Sequence, residues 1–287
     1  MKFNFIQALF SFLFISIISF SSQAQSSYPF TIIETQTGKT ITIEDLLEKL
    51  KPADIVFLGE EHDDSVAHFF ESFLFEGMSY LTRGHLSLSM EMWERDVQRI
   101  MDEYLAGYIS EKNFKKESRA WNNYEDYKPL IEWAKAKNIP VICANSPARY
   151  TNMVTRGTLN ALYKLPKNTR KQFLPPMPID TLKGAYYENF LEAMGGHNIP
   201  NMFLYQSQNL WDATMAHSIL ENMAFDPFQK ILHINGKFHS DHYLGVAYRV
   251  KQFDAPKYNV VTISCNSFSA YEPALHQSIA DFVVLTR

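Results

Sequence analysis

The stretch "DIVFLGEEHDDS", residues 54–65, joins a buried strand to a dense cluster of charged side chains. Ile55 to Leu58 form an unbroken apolar run, which is typical of a parallel strand covered on both faces. Four acids and a histidine follow at once, at residues 60–64. Crowded carboxylates resist burial unless solvent, a helix N-terminus or a cation offsets their charge. The stretch therefore predicts a strand that ends at a ligand-facing edge.

Strand and helix patterns alternate along most of the chain. Asp63 and Asp64 are predicted to cap a helix after the first strand, because apolar residues at helical spacing follow them. Further strands are predicted in "HLSLSMEM", "VICAN", "KILHINGKF", "YNVVTISCN" and "DFVVLT", with helices at about 94–106, 110–117 and 125–137. No strand pattern occurs within about 148–225. We predict an α/β fold, a mostly parallel sheet covered by helices, with this helical insertion forming a smaller lid domain over one sheet edge.

The first 24 residues carry a targeting pattern. Lys2 gives a short basic start, residues 8–20 are apolar, and Ser22-Gln23-Ala24 is a small-x-small cleavage motif. We therefore predict a signal peptide at 1–24 and the α/β domain at 25–287. An uncleaved membrane anchor is the alternative, although its apolar run would fall short of the ~20 residues of a membrane helix. No cysteine lies nearby to carry a lipid, so we expect an exported, periplasmic protein.

Charge and cysteine content argue against several classes of protein. The formal net charge is −4 and no long basic run occurs, so we expect no nucleic-acid partner. Cys143 and Cys265 lie in apolar, strand-like stretches, which predicts two buried thiols, with a disulfide as the alternative. The sequence contains no C-x-x-C-H motif, the signature of covalently attached haem.

Polar side chains follow four predicted strands at their carboxyl ends, the edge where open α/β sheets bind ligands. These side chains are Glu60, His62, Glu91, Asn145 and His239. Two G-x-x-H units, at residues 59–62 and 236–239, supply the histidines. Histidine and carboxylate together suit a divalent transition metal, so His62, His239 and Glu91 are predicted as metal ligands. Asp212 is interpreted as a helix-capping or solvated acid.

Five longer motifs resemble one known family. They are "FLGEEHDD", "SMEMWERDVQ", "YKPLIEWAKAKNIPVICANSP", "QNLWDATMAHSI" and "NGKFHSDHYLGVAYRV". In this order they resemble the ChaN-like haem-binding uptake family of the Tiki superfamily. The resemblance implies an exported bacterial protein of iron or haem acquisition, with an outer-membrane haem uptake system as a partner. It also implies non-covalent haem, stacked in pairs at a homodimer interface. Two departures are the missing lipid-anchor cysteine and the basic second unit, "GKFH".

The resemblance further implies a tyrosine on the haem iron and a histidine near the propionates. We assign these roles to Tyr205 and His197, with Tyr187 as the reserve iron ligand. Gly195-Gly196 and Pro200 flank His197 and predict a loop there. The alternative for the aromatic residues of this region is a role in the core, because they recur at helical spacing.

Two functions from different classes stay open at this stage. The first is haem carriage or uptake. The second is a metal-dependent hydrolase, because Tiki relatives include metalloproteases with paired G-x-x-H motifs. In that case His62, His239 and Glu91 would hold the metal, and Glu60 or Glu61 would act as general base on a bound water.

Overall fold

The structure is a computed structural model, and it describes residues 28–196, 202–226, 228–254, 258–273 and 278–287. The predicted signal peptide and His197 lie outside the described residues. The helices within these ranges are too short or too polar to span a bilayer.

The described strands form one eight-stranded sheet in the order β2-β1-β8-β7-β3-β6-β4-β5. Their bounds are β1 (Phe30–Glu34), β2 (Lys39–Ile41), β3 (Ile55–Glu60), β4 (Leu86–Glu94), β5 (Val141–Asn145), β6 (Lys230–Gly236), β7 (Val260–Ser267) and β8 (Phe282–Thr286). The six strands from β8 to β5 in this order pair in parallel, whereas β1 pairs antiparallel with β2 and β8. The predicted mostly parallel α/β sheet is confirmed.

Helices cover both faces of the sheet. They are α1 (Ile43–Leu50), α2 (Ser65–Leu81), α3 (Gln98–Leu105), α4 (Glu111–Glu117), α5 (Tyr124–Lys137), α6 (Ala148–Gly157), α7 (Lys167–Phe173), α8 (Ala185–Ala193), α9 (Leu204–Met223) and α10 (Gly245–Asp254). On β3, Val56 and Leu58 face the core shared with α1 to α5, whereas Ile55 and Phe57 face α9 and α10. This two-sided burial explains the unbroken apolar run of β3.

The described chain between β5 and β6 contains helices and irregular stretches but no strand, and it lies at the β5 edge of the sheet. Its last helix, α9, belongs to two cores. Leu210 packs with Val154 of α6 in a small core, whereas Met215 and Ile219 pack on the sheet. Ser218 also donates a hydrogen bond of 2.9 Å from its hydroxyl to the carbonyl oxygen of Ala144, on edge strand β5. A helical cover was predicted over one sheet edge, and α9 ties that cover to the sheet.

Two local predictions have clear outcomes. Cys143 and Cys265 are buried and free, so the prediction of two buried thiols is confirmed. Strand β4 runs to Glu94 rather than to Met92, and a 3-10 turn precedes α3. The reason is that Trp93 is buried and stacks on Phe114, which extends the strand beyond its alternating pattern.

Gly59 allows the end of β3 to approach the turn that follows β6. A Cβ atom there would lie 2.7 Å from the backbone Cα of Lys237. We expect Gly59→Ala to lower the free energy of unfolding by about 1–3 kcal/mol, measured by urea denaturation. Gly77→Ala in α2 is the matched control, since its Cβ would meet only the mobile tip of Leu47. Equal losses in the two variants would show that Gly59 is not needed for close packing.

Candidate functional site

The carboxyl ends of β3, β6 and β4 lie side by side and form the rim of the candidate site. Glu60 is in register with Gly236, and the Gly236 amide donates a 2.8 Å hydrogen bond to Oε2 of Glu91. His62 lies over the same glycine, because a Cβ atom on Gly236 would come within 2.8 Å of Nε2 of His62. A side chain at 236 would therefore displace His62, so this glycine is what lets the histidine reach the rim.

His239 lies between two carboxylates. Its Nδ1 is 2.6 Å from Oδ1 of Asp212, and its Nε2 is 3.3 Å from Oε1 of Glu91. Asp212 is fully buried in the middle of α9. The interpretation of Asp212 as a capping or solvated acid is therefore wrong. A mid-helix acid can be buried here because His239 supplies the positive partner that its charge requires.

Asp212 also connects the rim to the helical segment. Its Oδ2 accepts a 2.6 Å hydrogen bond from the Tyr186 hydroxyl of α8, which in turn accepts from Nε2 of Gln208 at 3.1 Å. Tyr186 is itself buried and packs against Phe238. The rim and the helices between β5 and β6 thus form one hydrogen-bonded network rather than two separate sites.

Glu60 anchors the other half of the rim. Its Oε1 accepts a 2.7 Å hydrogen bond from the Tyr127 hydroxyl and lies 2.8 Å from Nδ1 of His62. Its Oε2 faces away from the rim and lies 3.0 Å from Nδ1 of His68. His68 Nδ1 is also 3.4 Å from Oε2 of Glu71.

Glu60, His68 and Glu71 are buried, and each offers a ligand atom within 4.8 Å of the other two. Within the part of the chain that the structure describes, this is the one group of three potential metal ligands whose donor atoms lie so close together. His68 and Glu71 were not predicted from the sequence. Their spacing of three residues, which puts both on one face of α2, was the signal that could have identified them.

Burial and neighbouring charge set the protonation of these groups. Burial opposes the charge of His239, yet Glu91 and Asp212 raise its pKa to about 10. Burial likewise opposes the charge of Glu60, but His62 and His68 lower its pKa to about 2. Burial and the neighbouring Glu60 raise the pKa of Glu71 well above its ordinary value. The rim therefore consists of matched charges, whereas Glu71 carries a proton or needs a further cation.

The remaining predicted residues near the rim have separate places. Glu61 is half exposed and pairs with Nζ of Lys237 at 2.5 Å, so the buried carboxylate of the first G-x-x-H unit is Glu60. Asn145 accepts from the Ser146 amide at 2.7 Å. Asp64 caps α2, accepting from two backbone amides, which confirms its predicted capping role.

Tyr187 and Tyr205 form a pair on α8 and α9. Both are half-buried, and their ring centroids are 4.8 Å apart. The Tyr205 hydroxyl donates to the carbonyl oxygen of Leu182, and burial raises the pKa of Tyr205. The Tyr205 ring also contacts Tyr186, with centroids 6.1 Å apart. The predicted iron ligands therefore adjoin the network that reaches His239.

A sequence-family model described as haem-binding uptake, Tiki superfamily, ChaN matches residues 46–250. The chain belongs to this family. The resemblance noted in the sequence is thereby confirmed, and with it the haem-binding class of the protein. No curated protein sequence matches the chain.

A solved structure of a ChaN protein has the same fold at low sequence identity. The structure titled cofacial heme binding to ChaN of Campylobacter jejuni superposes with a TM-score of 0.69 at 16% identity, covering 90% of this chain and 97% of that chain. The type III effector HopBA1 has a TM-score of 0.49 at 13% identity, covering 85% and 93%. A mutant erythromycin esterase, EreC, in its open conformation has a TM-score of 0.48 at 10% identity, covering 90% and 82%.

The Tyr186 hydroxyl should contribute to stability through Asp212. Tyr186→Phe leaves the buried Asp212 with one donor fewer, so we expect the free energy of unfolding to fall by about 1–3 kcal/mol. Tyr124→Phe is the control, because the hydroxyl of Tyr124 is buried but lies outside the Asp212 network. Urea denaturation of both variants checks this. A Tyr124→Phe loss as large as that of Tyr186→Phe would contradict the network described here.

Proposed function

We propose that this ChaN family member is an exported protein of haem or iron uptake, and that it binds haem non-covalently through its helical segment with a tyrosine on the iron. The observation that carries the proposal is the Tyr187–Tyr205 pair, half-buried at the ends of two helices, in a chain of the haem-binding family. Phenolate is an established ligand of haem iron. Haem pairs bound face to face between two copies of the chain are part of the proposal.

The residues around the tyrosine pair fit a haem. A haem needs apolar surface for its ring in addition to an iron ligand. Phe190 packs on Tyr205 with centroids 5.0 Å apart. Met202 and Phe203, at the same end of α9 as Tyr205, are 45% and 38% exposed. Exposed apolar side chains of this kind mark a surface that a ligand or a second chain covers.

Tyr205 has to give up an existing contact in order to bind iron. Ligation through Tyr205 requires its hydroxyl to leave the Leu182 carbonyl and lose its proton, against the raised pKa noted above. Bound ferric haem supplies a positive centre that favours the phenolate form. Tyr205 remains the proposed ligand, Tyr187 the reserve, and His197 the proposed propionate partner.

A second candidate function is metal-dependent hydrolysis at the rim. It is favoured by one observation: His239 lies between Asp212 and Glu91, across Gly236 from His62. Such carboxylate-held imidazoles suit proton transfer or metal binding. In this candidate His62, His239 and Glu91 hold the metal, and Glu60 is the general base.

Haem titration followed by visible absorption tests the ligand assignment. We expect the chain to bind haem, and Tyr205→Phe to weaken binding about tenfold or more and shift the spectrum, because the iron loses an anionic ligand. His197→Ala should weaken binding with a smaller spectral change. Tyr163→Phe is the control, a half-exposed tyrosine outside the pair.

Two outcomes would contradict the haem proposal. Unchanged spectra in both Tyr205→Phe and Tyr187→Phe would remove tyrosine from the iron. Absence of haem binding, together with a stoichiometric transition metal that disappears in His62→Ala, would favour the hydrolase.

Export is tested by the N-terminus of the purified protein. When the full chain is expressed in a bacterial host with a periplasm, we expect N-terminal sequencing of the periplasmic fraction to start at Gln25. Ala24→Phe is the matched variant, since cleavage requires a small residue there, and it should accumulate uncleaved. A wild-type protein that keeps Met1 and stays in the cytoplasm would contradict export.

A further inference from the structure

We propose that Glu60, His68 and Glu71 form a buried site for one divalent transition metal ion, separate from the rim histidines and from the haem-binding helices. The site joins the end of β3 to the first two turns of α2. Its three donors, two carboxylates and one imidazole, are a set that Zn²⁺, Mn²⁺ and Fe²⁺ accept.

Two buried carboxylate oxygens at this site lack a hydrogen-bond partner. They are Oε2 of Glu60 and Oε1 of Glu71, in side chains that are fully buried. Oε2 of Glu60 pairs with Nδ1 of His68 at 3.0 Å, but in the geometry of an ion pair rather than of an aligned hydrogen bond. Buried carboxylate oxygens normally have a hydrogen-bond partner. A cation would stabilise this group instead, because its attraction to a carboxylate does not depend on hydrogen-bond direction.

The spacing of the donors suits a metal ion. Bonds of about 2.0–2.2 Å in a tetrahedral site place neighbouring ligand atoms roughly 3.3–3.6 Å apart. In the structure, Nδ1 of His68 lies 3.0 Å from Oε2 of Glu60 and 3.4 Å from Oε2 of Glu71. Small side-chain adjustments suffice to place all three atoms around one ion.

The tautomer of His68 is set by the backbone. Its Nε2 is 3.2 Å from the carbonyl oxygen of His62, so that nitrogen carries the proton that is donated to the carbonyl. Burial opposes the charge of His68, yet Glu60 and Glu71 raise its pKa to about 11, so without an ion Nδ1 also carries a proton. A bound metal ion would displace that proton and take the Nδ1 lone pair. A metal-bound histidine fixed through its other nitrogen by a carbonyl oxygen is the usual arrangement in proteins.

Glu60 is also oriented from outside the site. Tyr127 and His62 occupy its Oε1, which leaves Oε2 directed at His68 and Glu71. The Tyr127 ring packs edge-on against His68 with centroids 4.9 Å apart. The ion would thus hold Glu60 and, through it, the position of His62 on the rim.

Zinc loading of the full, haem-free chain tests the site. The chain is first dialysed against a chelator and then given Zn²⁺. We expect native mass spectrometry to show one Zn²⁺ per chain, and we expect the midpoint temperature of thermal unfolding to rise. Glu71→Gln should lose this stoichiometric zinc and the thermal shift. Glu91→Gln is the matched control, the same change at a buried rim carboxylate, and it should keep both.

X-ray absorption of the zinc-loaded wild type gives a readout that needs no variant. The proposed site contributes one imidazole to the first shell, whereas a rim site with His62 and His239 would contribute two. The proposal is overturned by a two-imidazole spectrum, by zinc that is kept in Glu71→Gln and lost in Glu91→Gln, or by a wild type that binds no zinc. In the last case Glu60 and Glu71 share a proton instead.

Discussion

The structure depends on how the charge of Glu60 is compensated at the end of a strand that is buried on both faces. Desolvating this carboxylate is costly, and the cost is offset from two directions. Tyr127 and His62 engage one oxygen, and His68 lies beside the other. Because these partners come from α5, from the loop after β3 and from α2, the carboxylate fixes the relative positions of three elements. Because Gly236 has no side chain, His62 can lie over it, next to Glu91.

The helical segment is coupled to the rim through the buried acid Asp212 and its neighbour Gln208, which both contact His239. Asp212 holds His239 on one oxygen and Tyr186 on the other, and the Tyr186 ring contacts Tyr205. A ligand that draws Tyr205 away from Leu182 therefore acts on a ring that packs against this hydrogen-bonded chain. The proposed haem site and the rim are joined by one element, since α9 carries Tyr205 as well as Asp212.

The sequence pattern predicted the strands well, but it did not predict which side chains contact each other. Ile55 to Leu58 predicted a doubly covered parallel strand, and both faces are buried. On α2, by contrast, Phe69 is one of the apolar residues at helical spacing but is 48% exposed, because the buried stripe also includes His68 and Glu71. A polar residue on an apolar helix face looks like a break in the pattern. Only the folded structure shows that His68 has a partner, Glu60 at the end of β3. Asp212 was misjudged for the same reason, since His239 lies 27 residues away.

Glu71 and Glu91 show why residue type and burial alone do not determine chemistry. Both carboxylates are buried. Burial raises the pKa of each, but His239, His62 and the Gly236 amide outweigh it at Glu91 and lower its pKa, whereas at Glu71 the neighbouring Glu60 adds to it. The rim is therefore already neutralised by its own histidines, and an arriving metal would have to displace those pairs. The cluster behind it has two carboxylates for one imidazole, so its charge is balanced either by a proton on Glu71 or by the proposed cation.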